Sequence, residues 1–327
     1  MSRSSILERI RIADALPRLA GVVKRTELAP FDAHDERVEL RLKLENTQET
    51  GAFKARGAWN QIAQLSAAER AAGVVTTSSG NHGKALAWAA QRAGVRCTVV
   101  MPADAYPNKI QACRDFGAEV VLGPTRDACE DLCRERVEGG ATLVHPYDAE
   151  RTAQGAGTVA LEVLEQWPQV EVVIVPCGGG GLLSGCALAI RQTVGDKVRV
   201  IGVEPEGAPS MTLGLAHGEP VTLEHISTKV QGLCPPYSGA FNIAVCSRAV
   251  DFVLTLSDDE IFAAQKELVL RGGHTVEPAG SAGAALVLAR KLPEQLLTGR
   301  TRSDKLRVVA VLSGGNPDPA QLAALRA

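Results

Sequence analysis

The stretch Gln48-Glu49-Thr50-Gly51-Ala52-Phe53-Lys54-Ala55-Arg56-Gly57-Ala58 sets one lysine between a glycine turn and the start of an apolar helical pattern (Ala58, Ile62, Leu65). A lysine so placed projects from a helix N-terminus into a cleft. The positive end of the helix disfavours the ammonium, and a dry pocket disfavours it further, so the free amine becomes a usable nucleophile. Such an amine attacks carbonyls and forms Schiff bases. The ordinary alternative is a solvated helix lysine, since most lysines are surface charges.

Three turns bear on the choice. In Cys177-Gly178-Gly179-Gly180-Gly181-Leu182-Leu183-Ser184-Gly185, four glycines lie between a strand and a helix. Successive N–H groups above a helix N-terminus make a phosphate cradle. The dinucleotide spacing G-x-G-x-x-G fails, because Gly178 and Gly180 would need a third glycine where Leu183 stands, although Glu204 ends the next strand at a suitable distance. No Gly-Lys-Ser/Thr follows, which excludes a P-loop. The phosphate of a smaller cofactor remains, against the alternative of a tight packing turn. The second turn, Thr77-Ser78-Ser79-Gly80-Asn81-His82-Gly83, offers two hydroxyls, an amide and N–H groups at a helix start. It suits a carboxylate, and Asn81 suits a phenolic oxygen; it also reads as an N-cap turn, with His82 structural. The third, Leu312-Ser313-Gly314-Gly315-Asn316, places Ser313 where a hydroxyl can bond a heteroaromatic nitrogen or merely close a turn.

The elements that must position these groups alternate. A charged helix pattern (Ile6 to Leu19) and an alternating strand (Val38 to Leu44) precede the lysine. Strands then read at 73–77, 95–101, 118–122 and 141–144, with helices at 84–93, 107–117 and 126–137 between them. The same grammar resumes with a helix at 154–166, a wholly apolar strand at 170–175, a helix to about Val194 and a strand at 198–203. Residues 207–249 are the least regular; a strand at 250–256, a Ser257–Glu260 capping box, a helix at 279–292 and a strand at 306–312 close the chain. Strands apolar on both faces, alternating with helices, mean parallel sheets covered on both sides. The fold class expected is α/β, with two three-layer domains, mostly parallel sheets and a ligand cleft outside the carboxyl ends of strands.

Composition narrows the partners. The 327 residues are 45% hydrophobic with a net charge of -2 and no long basic run, which argues against nucleic acid or an anionic membrane. No run of about 18 apolar residues exists to span a bilayer, and the N-terminus lacks an apolar signal core. The eight cysteines form no C-x-x-C, so reduced thiols in a cytoplasmic protein are expected.

Lys54 in T-G-A-F-K-A-R-G-A, the S-S-G-N-H-G turn, G-G-G-G-L and S-G-G-N, in this order, resemble the fold type II pyridoxal-phosphate enzymes, with the tryptophan synthase β-like fold. Within them the chain is similar to the serine/threonine dehydratase and serine racemase branch, over about residues 20 to 320. The resemblance implies pyridoxal 5'-phosphate as cofactor and an ammonia-lyase (dehydratase) acting on a small β-hydroxy amino acid such as serine or threonine. An amino-acid racemase of the same fold is the nearest rival, and a nucleotide-dependent oxidoreductase a more distant one. It implies residues 1–47 and 148–327 as a large phosphate-binding domain and 48–147 as a small substrate-carboxylate domain. It implies a homodimer. Lys54 would carry the cofactor and remove the substrate α-proton, Phe53 pack beside the ring, Asn81 bond the ring hydroxyl and Ser313 face the pyridine nitrogen. Gly178, Gly179, Gly180, Gly181 and Leu182 would hold phosphate. Ser78, Ser79, Gly80, Asn81 and His82 would hold the substrate carboxylate, with Ser79 matching the serine that exchanges a proton on the opposite face in racemases. Glu277, in V-E-P-A-G, lies near the ring in relatives. Glu204 and Ala208 match two ligands of a divalent-cation site found in several relatives, but Ser210 stands in place of the third, so Glu204 alternatively just closes a strand. Thr228-Lys229-Val230-Gln231-Gly232 replaces the Ile-Ala-Asp-Gly segment common in relatives, so the substrate can differ from serine or threonine.

Overall fold

In the computed structural model, which describes residues 6–326, ten strands fall into two sheets. The first half of the chain runs α1 (Leu16–Leu19), β1 (Leu28–Phe31), β2 (Val38–Lys43), α2 (Lys54–Ile62), α3 (Ala67–Ala72), β3 (Val74–Thr77), α4 (Asn81–Ala93), β4 (Cys97–Pro102), α5 (Pro107–Asp115), β5 (Glu119–Gly123), α6 (Arg126–Glu138) and β6 (Thr142–Leu143). Then come α7 (Glu150–Gln166), β7 (Val172–Pro176), α8 (Gly181–Val194), β8 (Arg199–Pro205), α9 (Ser210–His217) and α10 (Ala240–Ala249). β9 (Phe252–Leu256), α11 (Asp258–Leu270), α12 (Pro278–Leu288), α13 (Glu294–Leu297), β10 (Leu306–Val311) and α14 (Pro319–Arg326) complete it.

The larger sheet has the order β1-β2-β10-β7-β8-β9 and the smaller β5-β4-β3-β6. All pairings are parallel except β1 with β2. Period-two alternation sends Val173 and Val175 into a core shared with α7, α8 and α10, and Val172 and Ile174 into a second core under α11 and α12. The smaller sheet is covered likewise, by α2 and α4 on one face and by α6 on the other. Both are three-layer α/β arrangements, as their apolar strands require.

Three sequence expectations are corrected. The helix expected from Ile6 to Leu19 is broken: helical residues 6–7 give way to bends at 8–10, Ile12–Ala15 is a 3-10 turn, and α-helix resumes at Leu16–Leu19, since Pro17 can occupy just the first turn of a helix. The helix after the serine turn begins at Asn81, three residues before Lys84. The segment read as irregular, 207–249, contains α9 and α10. β1 escaped notice because Leu-Ala-Pro-Phe carries a proline, which an edge strand tolerates.

Candidate active site

The three turns singled out in the sequence, and one more, lie at the carboxyl ends of strands. Cys177–Gly180 follows β7, Ser78–Gly80 follows β3, Leu312–Gly315 follows β10 and Val144–Tyr147 follows β6. The lysine segment is stitched to the turn after β10: Ala52 bridges Gly314, Phe53 N donates to Ser313 O at 3.0 Å, and Gly315 N donates to Gly51 O at 2.7 Å. Lys54 is the first residue of α2. Its Nζ donates to the carbonyl oxygen of Pro146 at 2.6 Å and stands 5.1 Å from the Phe53 ring centroid. The side chain keeps a partial opening to solvent, as a cleft wall must, yet protein surrounds the amine. Desolvation lowers its pKa to about 8.

Pro146 leads into the glycine loop. The ring of the next residue, Tyr147, lies so close to Gly179 that a Cβ there would fall 2.2 Å from a ring carbon. Gly180 has φ +92°, and a Cβ on it would meet Met211 Cε at 2.4 Å. Asn242 fixes the loop from below, its Nδ2 donating to Gly179 O at 2.8 Å and to Tyr147 O at 3.0 Å. Its Oδ1 accepts from Ser184 Oγ at 2.7 Å. Gly180 is the N-cap of α8 and has no side chain to satisfy the first N–H groups of a 14-residue helix. These donors, with the positive end of the helix dipole, suit a phosphate. Leu182 is buried within that first turn.

The serine turn repeats the device. Gly80 is the N-cap of α4 and again offers no side-chain cap; the turn's own bond is Gly80 N to Ser78 Oγ at 3.3 Å. Ser79 is exposed, while Ser78, Gly80 and Asn81 are half-buried. Asn81 turns away from the helix axis: its Nδ2 donates to Glu277 Oε1, and its Oδ1 accepts from Asn316 Nδ2 at 2.8 Å. These two bonds fix which end of the amide is the donor. Glu277 is buried, and desolvation raises its pKa. His82 is buried and its Nε2 is 2.9 Å from Val144 O, which can only accept, so that nitrogen carries the proton. Burial, with Lys54 nearby, drives its pKa down to about 3, and the ring stays neutral. Ser313 is buried beside this group, with Gly314 and Asn316 next along the turn.

Contacts link these groups in series: Lys54 to Pro146 and so to Tyr147 on the glycine loop, Phe53 to Ser313, and Asn81 of the serine turn to Asn316 of the Ser313 turn. Glu204 and Ala208 lie next to the glycine loop: Cys177 N donates to Val203 O at 2.8 Å, and Ser238 Oγ donates to Gly178 O at 3.2 Å. Glu204 is wholly buried and accepts from Met211 N (2.7 Å), Thr212 N (2.9 Å) and Thr212 Oγ1 (2.8 Å), which makes it the cap of α9. Burial raises its pKa to about 7. Ala208 O accepts from Ser210 N at 2.9 Å, and Ser210 Oγ bonds Ser238 Oγ. Among the described residues no cluster of three or more His, Cys, Asp or Glu is placed to hold a metal.

Sequence reasoning passed over Pro146, Tyr147 and Asn242, and gave Asn316, within the third turn, no role. The first two had a signal, since His145-Pro146-Tyr147-Asp148 is a turn after a strand. Asn242 had none, lying in a stretch without clear period.

Comparison with known proteins bears on this geometry. Residues 19–314 match the family described as pyridoxal-phosphate dependent enzyme. An L-threonine ammonia-lyase of Thermotoga maritima is 39% identical over 311 residues, 94% of this chain and 75% of that protein. A phenylserine dehydratase of Ralstonia pickettii is 37% identical over 308 residues, 94% and 90% of the two chains. Among solved structures, maize serine racemase superposes with a TM-score of 0.87 at 33% identity, covering 96% of this chain and 94% of that one. A family match over most of the sequence, joined to a shared fold and to a desolvated lysine bonded one residue before the tyrosine that packs on the glycine loop, means that the chain belongs to the fold type II pyridoxal-phosphate-dependent enzymes, in the branch of the serine/threonine dehydratases and serine racemases.

Proposed function

We propose that the chain is a pyridoxal-phosphate-dependent ammonia-lyase that converts a small β-hydroxy amino acid, such as serine or threonine, to a 2-oxo acid and ammonia. The observation that carries this reading is the Lys54 amine, with a pKa near 8, bonded to Pro146 one residue before the tyrosine that packs on an uncapped glycine loop. The cofactor's chemistry fits the donor set: an amine for the aldehyde, helix N–H groups for the phosphate, an amide for the ring hydroxyl and a neutral hydroxyl, Ser313, for the ring nitrogen.

When bound, pyridoxal phosphate supplies a sink for the electron pair left at the substrate α-carbon. The chain's own groups do the rest. Gly178–Leu182 anchor the phosphate through N–H groups, and Phe53 packs beside the ring. Asn81 presents its donor, fixed by Glu277 and Asn316, to the ring hydroxyl. Ser78, Ser79, Gly80 and the start of α4 bind the substrate carboxylate. His82 holds that turn to Val144 rather than moving a proton, because its ring stays neutral. Lys54 takes the α-proton. Ser313 would meet the ring nitrogen with a neutral hydroxyl, which cannot protonate it as a carboxylic acid would, and that pairing would favour prompt loss of the β-hydroxyl. The α-proton and hydroxyl leave as water. Hydrolysis of the released enamine takes up one water and yields the 2-oxo acid and ammonia, with no oxidant or reductant.

A racemase reading is favoured by one observation, the exposed Ser79 hydroxyl on the turn that faces the cleft. Recovered substrate tests it: racemisation should fall in Ser79→Ala while elimination largely survives. The same proposal includes residues 48–147 as the small domain and 1–47 with 148–327 as the large one, supported by the two separate sheets. It also includes a homodimer, supported by the resemblance, and a cytoplasmic location, supported by eight free cysteines. Among the described residues no helix is long and apolar enough to cross a membrane.

The deciding experiment is optical and chemical. Purified protein should absorb near the visible edge, and Lys54→Ala should lose that band together with 2-oxo acid formation from a β-hydroxy amino acid panel. A band that persists in Lys54→Ala, or a panel that yields no 2-oxo acid, rejects the reading.

A further inference from the structure

Two residues beyond Lys54, Arg56 is sealed inside the protein, 1% exposed. Its guanidinium is engaged on every side. Nε and Nη2 donate to the two oxygens of Glu45 at 2.8 and 2.7 Å. Nη1 and Nη2 donate to the two oxygens of Glu162 at 2.6 and 2.9 Å. Thr158 Oγ1 and Lys24 O take the remaining contacts at 3.1 and 3.3 Å. Lys43, also wholly buried, donates to Glu162 Oε2 at 2.6 Å, Thr26 O at 2.8 Å and Gln166 Oε1 at 2.9 Å. Two cations and two carboxylates therefore balance.

Burying four charges is a poor way to raise stability, because desolvation offsets most of the attraction. What two bidentate carboxylates on one planar guanidinium do provide is fixed geometry. The three elements so tied are the turn after β2 (Glu45), α7 (Glu162) and α2 (Arg56). α2 is otherwise shared: it packs on α7 of the larger body and, through Ala58 and Ile62, against α4 over the smaller sheet. The backbone bonds from Gly51–Phe53 to the Ser313 turn tie its start to the larger body, and the clamp adds a second hold on the opposite face of its first turn. At about 100° per residue, positions 54 and 56 lie about 200° apart around the helix, so the clamp grips the face opposite Lys54.

We propose that Arg56 is a positioning residue. Its double carboxylate clamp fixes the rotation and register of the first turn of α2 on the larger body, and so holds the Lys54 amine between the Ser313 turn and Pro146. The inference rests on the reading of Lys54 as the cofactor-bearing lysine.

The test uses the holoenzyme. Arg56→Lys keeps the charge but cannot span two carboxylates; kcat should fall on the order of 100-fold, as expected for a reacting group moved by about an ångström, with substrate KM nearly unchanged. The pH midpoint of the Lys54-linked absorbance band should move with it. Lys43→Met removes a charge from the same buried cluster but leaves all four carboxylate bonds of Arg56; it should lower the melting temperature and leave kcat and the band midpoint in place. Should Arg56→Lys fail to fold, Glu162→Gln, which retains the clamp to Glu45, should shift kcat and the midpoint in the same direction by less. An Arg56→Lys or Glu162→Gln enzyme that loses melting temperature alone overturns the proposal. So do equal shifts in Lys43→Met, which would assign the effect to buried charge. Retention of the band in Lys54→Ala would instead sink the underlying site, whatever Arg56 does.

Discussion

The amine of Lys54 donates to the carbonyl oxygen of Pro146 at 2.6 Å, one residue before the tyrosine that packs on the glycine loop. A single acceptor without charge does little to hold a proton on the amine, and burial works against it, which is why its pKa sits near 8. The neutral amine, roughly a tenth of the population at pH 7, is the form that captures an aldehyde. In cofactor-free enzyme the rate of pyridoxal-phosphate capture should therefore rise with pH and level off just above 8. A rate that keeps climbing toward pH 10, as for an ordinary lysine, would contradict the desolvated site.

The Tyr147 ring leaves no room beside Gly179, where an added methyl would sit 2.2 Å from a ring carbon. Gly179→Ala must displace either the ring or the loop, and forced overpacking costs about 1–3 kcal/mol. Since the loop is the expected phosphate anchor, cofactor affinity should weaken roughly ten- to a hundredfold. Equilibrium dialysis against pyridoxal phosphate reads this directly. Tyr147→Ala should restore part of the affinity in the double variant, since it removes the clashing partner; no recovery would mean the loop is disturbed for another reason.

Glu277 and Asn316 hold the Asn81 amide from its two ends. In Glu277→Gln the carboxyl acceptor gives way to an amide that can also donate, and the Asn81 amide can turn its oxygen toward the ring hydroxyl. A typical hydrogen bond contributes about 0.5–1.5 kcal/mol, so turnover should fall roughly two- to tenfold, with a displaced absorbance maximum in the bound state. Asn316→Ala frees the other end and should displace the maximum in the same sense. An unmoved spectrum in both variants would show that Asn81 needs no such fixing.

How far the sequence foretold all this differs by element. The glycine loop, the serine turn and Lys54 were legible because backbone freedom and helix starts leave residue-type marks. The wholly apolar run of β7 marked a strand covered on both faces, because neither face then has a polar residue to meet water. The charged cluster was not legible. In Val38-Glu39-Leu40-Arg41-Leu42-Lys43, the three charges read alike as one outward face, and Glu39 and Arg41 do lie half-exposed. Lys43 is covered only because Glu162 and Gln166 of α7, more than a hundred residues away, close over it. Likewise Arg56 and Glu162 sit in helices where a charge is ordinarily solvated, and local pattern carries no sign of their pairing. α9 was hidden for a different reason: a glycine within Ser-Met-Thr-Leu-Gly-Leu-Ala-His weakens its helical signal, and its cap, Glu204, lies outside it.

That cluster also sets an acid limit. Burial alone would push the Glu45 carboxyl up, but Arg56, with Lys43 and Thr26, holds it below its ordinary 4.5. A carboxylate whose folded pKa is depressed stabilises the fold fully above its unfolded value, and that contribution is lost as pH falls through the folded one. Wild-type unfolding midpoints should thus be flat from neutral pH down to about 4.5 as far as this group is concerned, then drop steeply. Glu45→Gln leaves the buried guanidinium half-paired at every pH, which for a broken buried pair costs about 3–5 kcal/mol. The variant should be less stable at pH 7 and show a shallower fall below 4.5, because the titrating group is gone. Urea titrations of both proteins between pH 7 and pH 3.5 decide it: parallel curves would mean that the acid transition belongs to other carboxylates.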